Sequence, residues 1–372
     1  MIFILNDKEN KIWEKEDKME QALKRLKEQT KYQLFHYPET TKKQDIKYLI
    51  KRVVRRAHTP KRDAFFWPHA LLTQSLETAG DVETLKNYYD LWIEKGVPLH
   101  NIDNVMNGYS LLYVYEMTKE DKYKIAADKL YEYMMQYSND MGGKVPYRKG
   151  NPCHIYVDGL GMTVPFLCRY GAIFDKKEAI DLGVKQIQEF LRFGMDSATG
   201  LPYHGYDLKT GVKQGIIGWG RGLGWLLLAM VDSIEYLPVG EHREEMIKTF
   251  SKLVVNTLPY IREDGYFSWQ VTAKEGPKDT SATAMIGYAL KKGRIYLSFE
   301  KKQERPALEY GDKRISLMDE VLQRIETALI SSCSNGKIYH CSGECHGFSQ
   351  YPQIYGAYPW SLGPGMRFLW MK

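Results

Sequence analysis

Apolar helical segments return along this chain at a nearly constant interval. Leu111, Phe166, Leu226 and Met285 occupy matching points in four of them, 55, 60 and 59 residues apart. Each apolar segment is followed by a one-sided, amphipathic one: PFLCRYGAIF by residues 177–193, and LLLAMVDSIEYL by residues 241–258. A fixed period with that alternation means stacked helical hairpins. A helix apolar all round is buried and a one-sided helix is half-exposed, so the pattern predicts an inner ring of helices inside an outer ring. Helices are expected at 19–31, 70–77, 82–95, 108–117, 121–136, 161–173, 177–193, 224–236, 241–258, 281–292, 315–331 and 363–371. That is about six pairs, the last segment closing against the N-terminal helix. The expected fold is all-α, an (α/α)6 barrel formed by residues 1–372 as one domain. A short open solenoid is the alternative.

At 372 residues, 44% hydrophobic and 26% charged, the chain has ordinary globular composition and ample length for such a core. The net charge of +6 is largely local, because residues 42–62 hold nine Lys and Arg against Asp45. No nucleic-acid-binding motif accompanies this stretch, which reads as a solvated helix face, so no nucleic-acid partner is expected. Four apolar residues precede Asn6 and Asp7, too few for a signal peptide, and no segment reaches about 18 apolar residues. The expectation is a cytoplasmic protein without a membrane partner, a monomer or weak oligomer. Five cysteines, an odd number, fit reduced thiols. Cys333, Cys341 and Cys345, with His340 and His346, are the metal candidate, but C-x7-C-x3-C-H is not a zinc spacing, and no metal is expected.

The segments 144–159, 200–219, 264–280 and 339–360 are rich in glycine and aromatic residues and too long to be simple turns. Each precedes an inner helix, so they should gather at one end of the toroid, beside helix N-termini that favour anions. Four motifs enter this mouth: HNIDNVMNG with Asp103, CHIYVDGLGM with Asp158, GLPYHGYD with His204, and WGRGLGW with Arg221. Asp158 is the only charge in residues 155–168. Burial of a carboxylate is costly and raises its pKa, which suits a proton donor near neutral pH. The competing reading is a helix N-cap, a position aspartate favours. Asp103 lies 55 residues earlier, at the equivalent repeat position. Two carboxylates at one mouth push one pKa up, although each also reads as a cap. Arg221 suits a ligand carboxylate or an internal salt bridge. Trp219 and Trp225 suit a sugar face or the core.

These motifs, with Met162, DTSATAM at 279–285 and Pro359-Trp360-x-x-Gly-Pro-Gly365, resemble the unsaturated glucuronyl and rhamnogalacturonyl hydrolases, and glycoside hydrolase family 105 more closely. The resemblance runs from about Asp103 to the C-terminus. Leu223 and Tyr156 depart from the family pattern, which bears on the substrate subclass. The resemblance implies a cofactor-free, metal-free (α/α)6 glycosidase. Its substrate would be an anionic oligosaccharide ending in the unsaturated uronic acid left by polysaccharide lyases, with rhamnogalacturonan the first expectation. It implies hydration of the C4=C5 enol ether. Asp158 would protonate C4 and take a proton from water, Asp103 would hold that water, and His204 would bond the water or a sugar hydroxyl. Arg221 would meet the substrate, with Trp219, Trp225, Tyr206 and Tyr156 as binding surface. Two other readings remain open. One is a toroid sugar epimerase using His204 with His154 or His340; the other is a helical-repeat scaffold binding a protein or RNA.

Overall fold

The computed structural model describes residues 2–38, 65–297, 316–345 and 347–371. The basic stretch 42–62 and His346 lie outside them. In chain order the first helices are α1 (Ile2–His36), α2 (Trp67–Thr78), α3 (Val82–Glu94), the single turn α4 (Ile102–Val105), α5 (Gly108–Thr118) and α6 (Asp121–Asp140). They continue as α7 (Val157–Phe174), α8 (Lys177–Phe193), α9 (Gly220–Val231), α10 (Glu241–Thr257), α11 (Thr280–Gly293), α12 (Leu317–Ser331) and α13 (Pro359–Trp370). Helices α2, α5, α7, α9, α11 and α13 form the inner ring. Every residue of α9 is buried, whereas α8 buries one face only. Apolar inner helices and one-sided outer helices thus take the two layers that the repeat predicts, and the fold is an (α/α)6 barrel.

The ring closes where α13 meets α2. A Cβ at Gly363 would sit 2.4 Å from the Leu71 carbonyl oxygen, so only glycine lets these helices pack so closely. Gly161 does the same for α7 against Trp225 of α9. Such glycines explain why helices begin earlier than expected: α7 at Val157 rather than 161, α9 at Gly220 rather than 224, and α13 at Pro359 rather than 363. The glycines of VDGLG and GRGLG read as breakers. Instead they serve close helix crossings, where packing outweighs a propensity cost of about 1 kcal/mol each.

At the C-terminal ends of the inner helices lies a floor of ion pairs. Arg169 of α7 bonds Glu77 of α2 and Glu116 of α5, each at 2.7 Å. Asp232, which follows α9, accepts from Arg367 of α13 at 2.9 Å and from Lys292 of α11 at 2.8 Å. At the opposite end, β1 (His154–Tyr156), β2 (Gly205–Asp207) and β3 (Lys213–Gln214) make a small antiparallel sheet. Two further ribbons follow α12, β4 (Cys333–Ser334) with β5 (Lys337–Ile338) and β6 (Cys341–Ser342) with β7 (Tyr355–Gly356). Among the described residues no helix is long and apolar enough to cross a membrane.

Candidate active site

Asp103, Asp158 and Arg221 each stand second in their helices, α4, α7 and α9. The competing N-cap reading of the two aspartates is therefore not the one the structure takes. Asn101 is the N-cap of α4, in a capping box with Asn104, and Tyr156 is the N-cap of α7. Both carboxylates reach away from their own helix ends. Asp158 Oδ2 lies 3.1 Å from His204 Nε2, and Asp103 Oδ2 accepts from Arg148 Nη2 at 3.1 Å. The two groups share a neighbour in Tyr147. Burial raises the Tyr147 pKa, the charges of Asp103 and Asp158 raise it further, and Arg148 opposes them. Arg148 stacks on the Tyr147 ring at 4.3 Å and leaves 41% of its side chain exposed.

His204 is 2% exposed and has both nitrogens engaged, Nε2 by Asp158 and Nδ1 by Tyr351 Oη at 2.7 Å. It is thus turned toward Asp158 rather than toward a free sugar hydroxyl. Trp219 lies behind it, ring centroids 4.4 Å apart, and its Nε1–H has no hydrogen-bond partner among the described residues. Tyr156 lies 5.1 Å from the His204 ring and stacks on Phe348 at 4.1 Å. The sheet register sorts the rest. Tyr156 faces Gly205 across β1 and β2, and that glycine admits Phe348 above the strand. Tyr206 pairs with Ile155 on the other face, where it packs on Phe190 and Phe193 of α8. Trp225 is 1% exposed and packs against α7 and Trp67. The structure therefore gathers Asp103, Asp158, His204, Trp219 and Tyr156, and sends Tyr206 and Trp225 into the core.

Arg221 is buried between the Trp219 and Trp360 rings. Its Nη1 donates to Ser281 Oγ at 3.2 Å and Ser342 Oγ at 2.8 Å, and its Nη2 donates to the Gly343 carbonyl at 2.9 Å. Asp279 accepts from both serine hydroxyls at 2.7 Å. Of the two sequence readings, the internal one has the geometry, although the partners are serines and a carbonyl instead of a carboxylate. Arg221 anchors the segment that carries Phe348 and Tyr351 over the mouth. Arg148, Phe348 and Tyr351 are absent from the sequence assignment. They fall within the aromatic connections singled out there, but no periodicity says which residue of a connection points inward.

The five cysteines are free, and burial pushes the Cys333 and Cys345 thiols up to about 12. Among the described residues no group of three His, Cys, Asp or Glu is placed to hold a metal ion. His154 lies 3.7 Å from Asp207, and burial with the nearby Lys278 lowers the His340 pKa.

The sequence model for Glycosyl Hydrolase Family 88 matches residues 78–313. The chain belongs to that family. It is a glycosidase, which sets aside the epimerase and scaffold readings. Among curated relatives, the unsaturated rhamnogalacturonyl hydrolase YesR of Bacillus subtilis is 24% identical over 337 residues, covering 86% of this chain and 93% of that protein. Solved structures share the fold. A possible family 105 member from Klebsiella pneumoniae superposes with a TM-score of 0.72 at 18% identity, over 91% of this chain and 96% of that one. The unsaturated glucuronyl hydrolase of Bacillus sp. GL1 gives 0.63 at 16% identity, over 83% and 86%.

Proposed function

We propose that this family member releases the 4,5-unsaturated uronic acid from the non-reducing end of lyase-generated oligosaccharides, with unsaturated rhamnogalacturonan disaccharide as the preferred substrate. The observation that carries the reading is the Asp158–His204 pair beside the repeat-equivalent Asp103 at a mouth of helix N-termini. Asp158 protonates C4 of the enol ether, and positive charge develops at C5 and the ring oxygen. Asp103 stabilises that charge and holds the incoming water. Water adds at C5 as its proton passes to Asp158, which restores the acid. The hemiketal opens and the aglycone leaves. The proton goes to carbon, so the two-carboxylate spacing used to classify ordinary glycosidases does not apply.

A uronate needs a cation. Arg221 is enclosed by Ser281, Ser342 and Gly343, whereas Arg148, beside Asp103, keeps 41% of its side chain exposed. Arg148 therefore receives the substrate carboxylate, for which a planar fork is well suited. Tyr156 borders the sugar ring, and Trp219, 1% exposed, supports the site from behind His204. The rhamnose preference is supported by the name of the Bacillus subtilis relative, which aligns over most of both chains. The test is a panel of unsaturated rhamnogalacturonan and chondroitin disaccharides, read by loss of enol-ether absorbance. Faster turnover of the rhamnogalacturonan product is expected. Preference for the chondroitin product would move the substrate to the glycosaminoglycans, and turnover of neither would remove the reading.

A further inference from the structure

The unassigned Tyr351 decides where the protons of the Asp158–His204 pair reside. A neutral imidazole has one N–H, so of the two contacts His204 makes, one is donated and one accepted. Tyr351 Oη lies 2.7 Å from Nδ1, and among the described residues the phenol has no other hydrogen-bond acceptor. The phenol's own hydrogen is therefore donated to Nδ1. Burial raises the Tyr351 pKa, so this hydrogen is retained through the neutral range. With Nδ1 accepting, the imidazole proton sits on Nε2 and points at Asp158 Oδ2, 3.1 Å away.

We propose that Tyr351 is a positioning residue for the acid. By holding His204 as the Nε2–H tautomer, it makes Asp158 Oδ2 an acceptor and places the transferable proton on Oδ1. The catalytic consequence rests on the enol-ether reading. In that step the Oδ1–H bond breaks as the C4–H bond forms, while Oδ2 keeps its hydrogen bond from His204. The proton released when water adds to C5 returns to Oδ1. In the opposite tautomer Nε2 accepts, and the acid proton is held between Asp158 and His204, away from C4.

The surroundings are shaped around this pair. Gly215 has φ +79°, and a Cβ there would lie 2.5 Å from His204 Cβ and 2.6 Å from Tyr351 Oη. Trp219 and Phe348 close on the imidazole, with ring centroids at 4.4 and 5.3 Å. Burial also raises the pKa values of the ionisable neighbours Tyr156 and Cys345, which keeps both protonated. The phenol therefore sets the tautomer.

The test is Tyr351→Phe in the full chain, with nitrogen NMR of histidine-labelled protein and steady-state kinetics. The His204 signals are assigned by their loss in His204→Gln. The parent should show a protonated Nε2 and a bare Nδ1, and Tyr351→Phe should lose that preference. In the variant kcat should fall roughly 10- to 100-fold, because the proton is misdirected, with KM within about threefold. Circular dichroism and the melting midpoint should be unchanged. A parent His204 protonated on Nδ1, or a variant with unchanged kcat and tautomer, would overturn the proposal. If the parent turns over no unsaturated disaccharide, the functional reading fails separately, and the NMR comparison still decides whether Tyr351 sets the tautomer.

Discussion

Both ends of the barrel concentrate charge, and they treat it differently. At the floor, Glu77, Glu116, Arg169, Asp232, Lys292 and Arg367 come one from each inner helix or its end, and they neutralise one another at 2.7–2.9 Å. Burial alone would raise the Asp232 pKa. Arg367 and Lys292 outweigh it and hold that carboxyl well below the usual range. At the mouth, two carboxylates stand at helix N-termini, where the helix dipole favours them. Among the described residues each pairs with one group from a connection, His204 or the half-exposed Arg148. The floor is closed electrostatically and supports the fold. At the mouth the Arg148 and Asp158 side chains stay partly exposed, 41% and 14%, which the proposed chemistry requires.

The largest expected effect comes from Asp158→Asn. It keeps the shape and most of the hydrogen bonding but removes the transferable proton. On the proposed chemistry kcat should fall on the order of 10³-fold, within the range for a general acid, while the melting midpoint stays within a few degrees. Loss of enol-ether absorbance and a thermal melt measure the two. Activity within tenfold of the parent would remove Asp158 as the acid and blur the distinction between the two ends.

Asp232→Ala is the mirror experiment. It removes the buried carboxylate that Arg367 and Lys292 share, leaving Arg367 with Gln74 and Lys292 with Glu235; breaking such a buried pair costs about 3–5 kcal/mol, yet activity per folded molecule should hold. Urea unfolding and an active-fraction assay check this. The pH dependence follows from the depressed Asp232 pKa. A carboxyl whose pKa is lower folded than unfolded stabilises fully above its unfolded value and loses that stability as pH falls toward the folded value. The parent should therefore lose stability below about pH 4 more steeply than the variant. Equal acid slopes would show that Asp232 is not the group responsible.

The same contrast explains what the sequence made legible. The inner ring was readable because burial writes a period into α7, α9 and α11, and that period also located Asp103 and Asp158. Helix starts were misplaced at Gly161, Gly224 and Gly363, because close packing and helix breaking use the same residue. The mouth was readable only along its helices. Its remaining parts come from connections, where Arg148, Phe348 and Tyr351 carry no periodicity and are brought in by long-range contacts. Tyr206 illustrates the limit from the other side. It neighbours His204 in sequence, but the alternation of β2 turns it to α8. Arg221 was noticed because glycines and tryptophans flank it. Those flanks instead create its enclosure, since Gly220 lets α9 approach Ala282 and Trp219 covers the guanidinium.

Arg148→Ala sharpens the comparison with the smallest expected change. Unlike the floor cations, Arg148 is partly in water, so its removal should cost little stability. If it receives the uronate, KM should rise about tenfold, roughly 1.4 kcal/mol of binding, with kcat nearly constant. The parent KM should also rise with added salt, because the attraction is screened, and the variant KM should respond less. A methyl ester of the unsaturated uronate carries no charge to recognise, so parent and variant should bind it alike. The alternative outcome is equally informative. A fall in kcat at constant KM would mean that Arg148 acts through Asp103, holding that carboxylate where charge develops at C5. In that case the mouth would share more of the floor's paired character than its half-exposed arginine suggests.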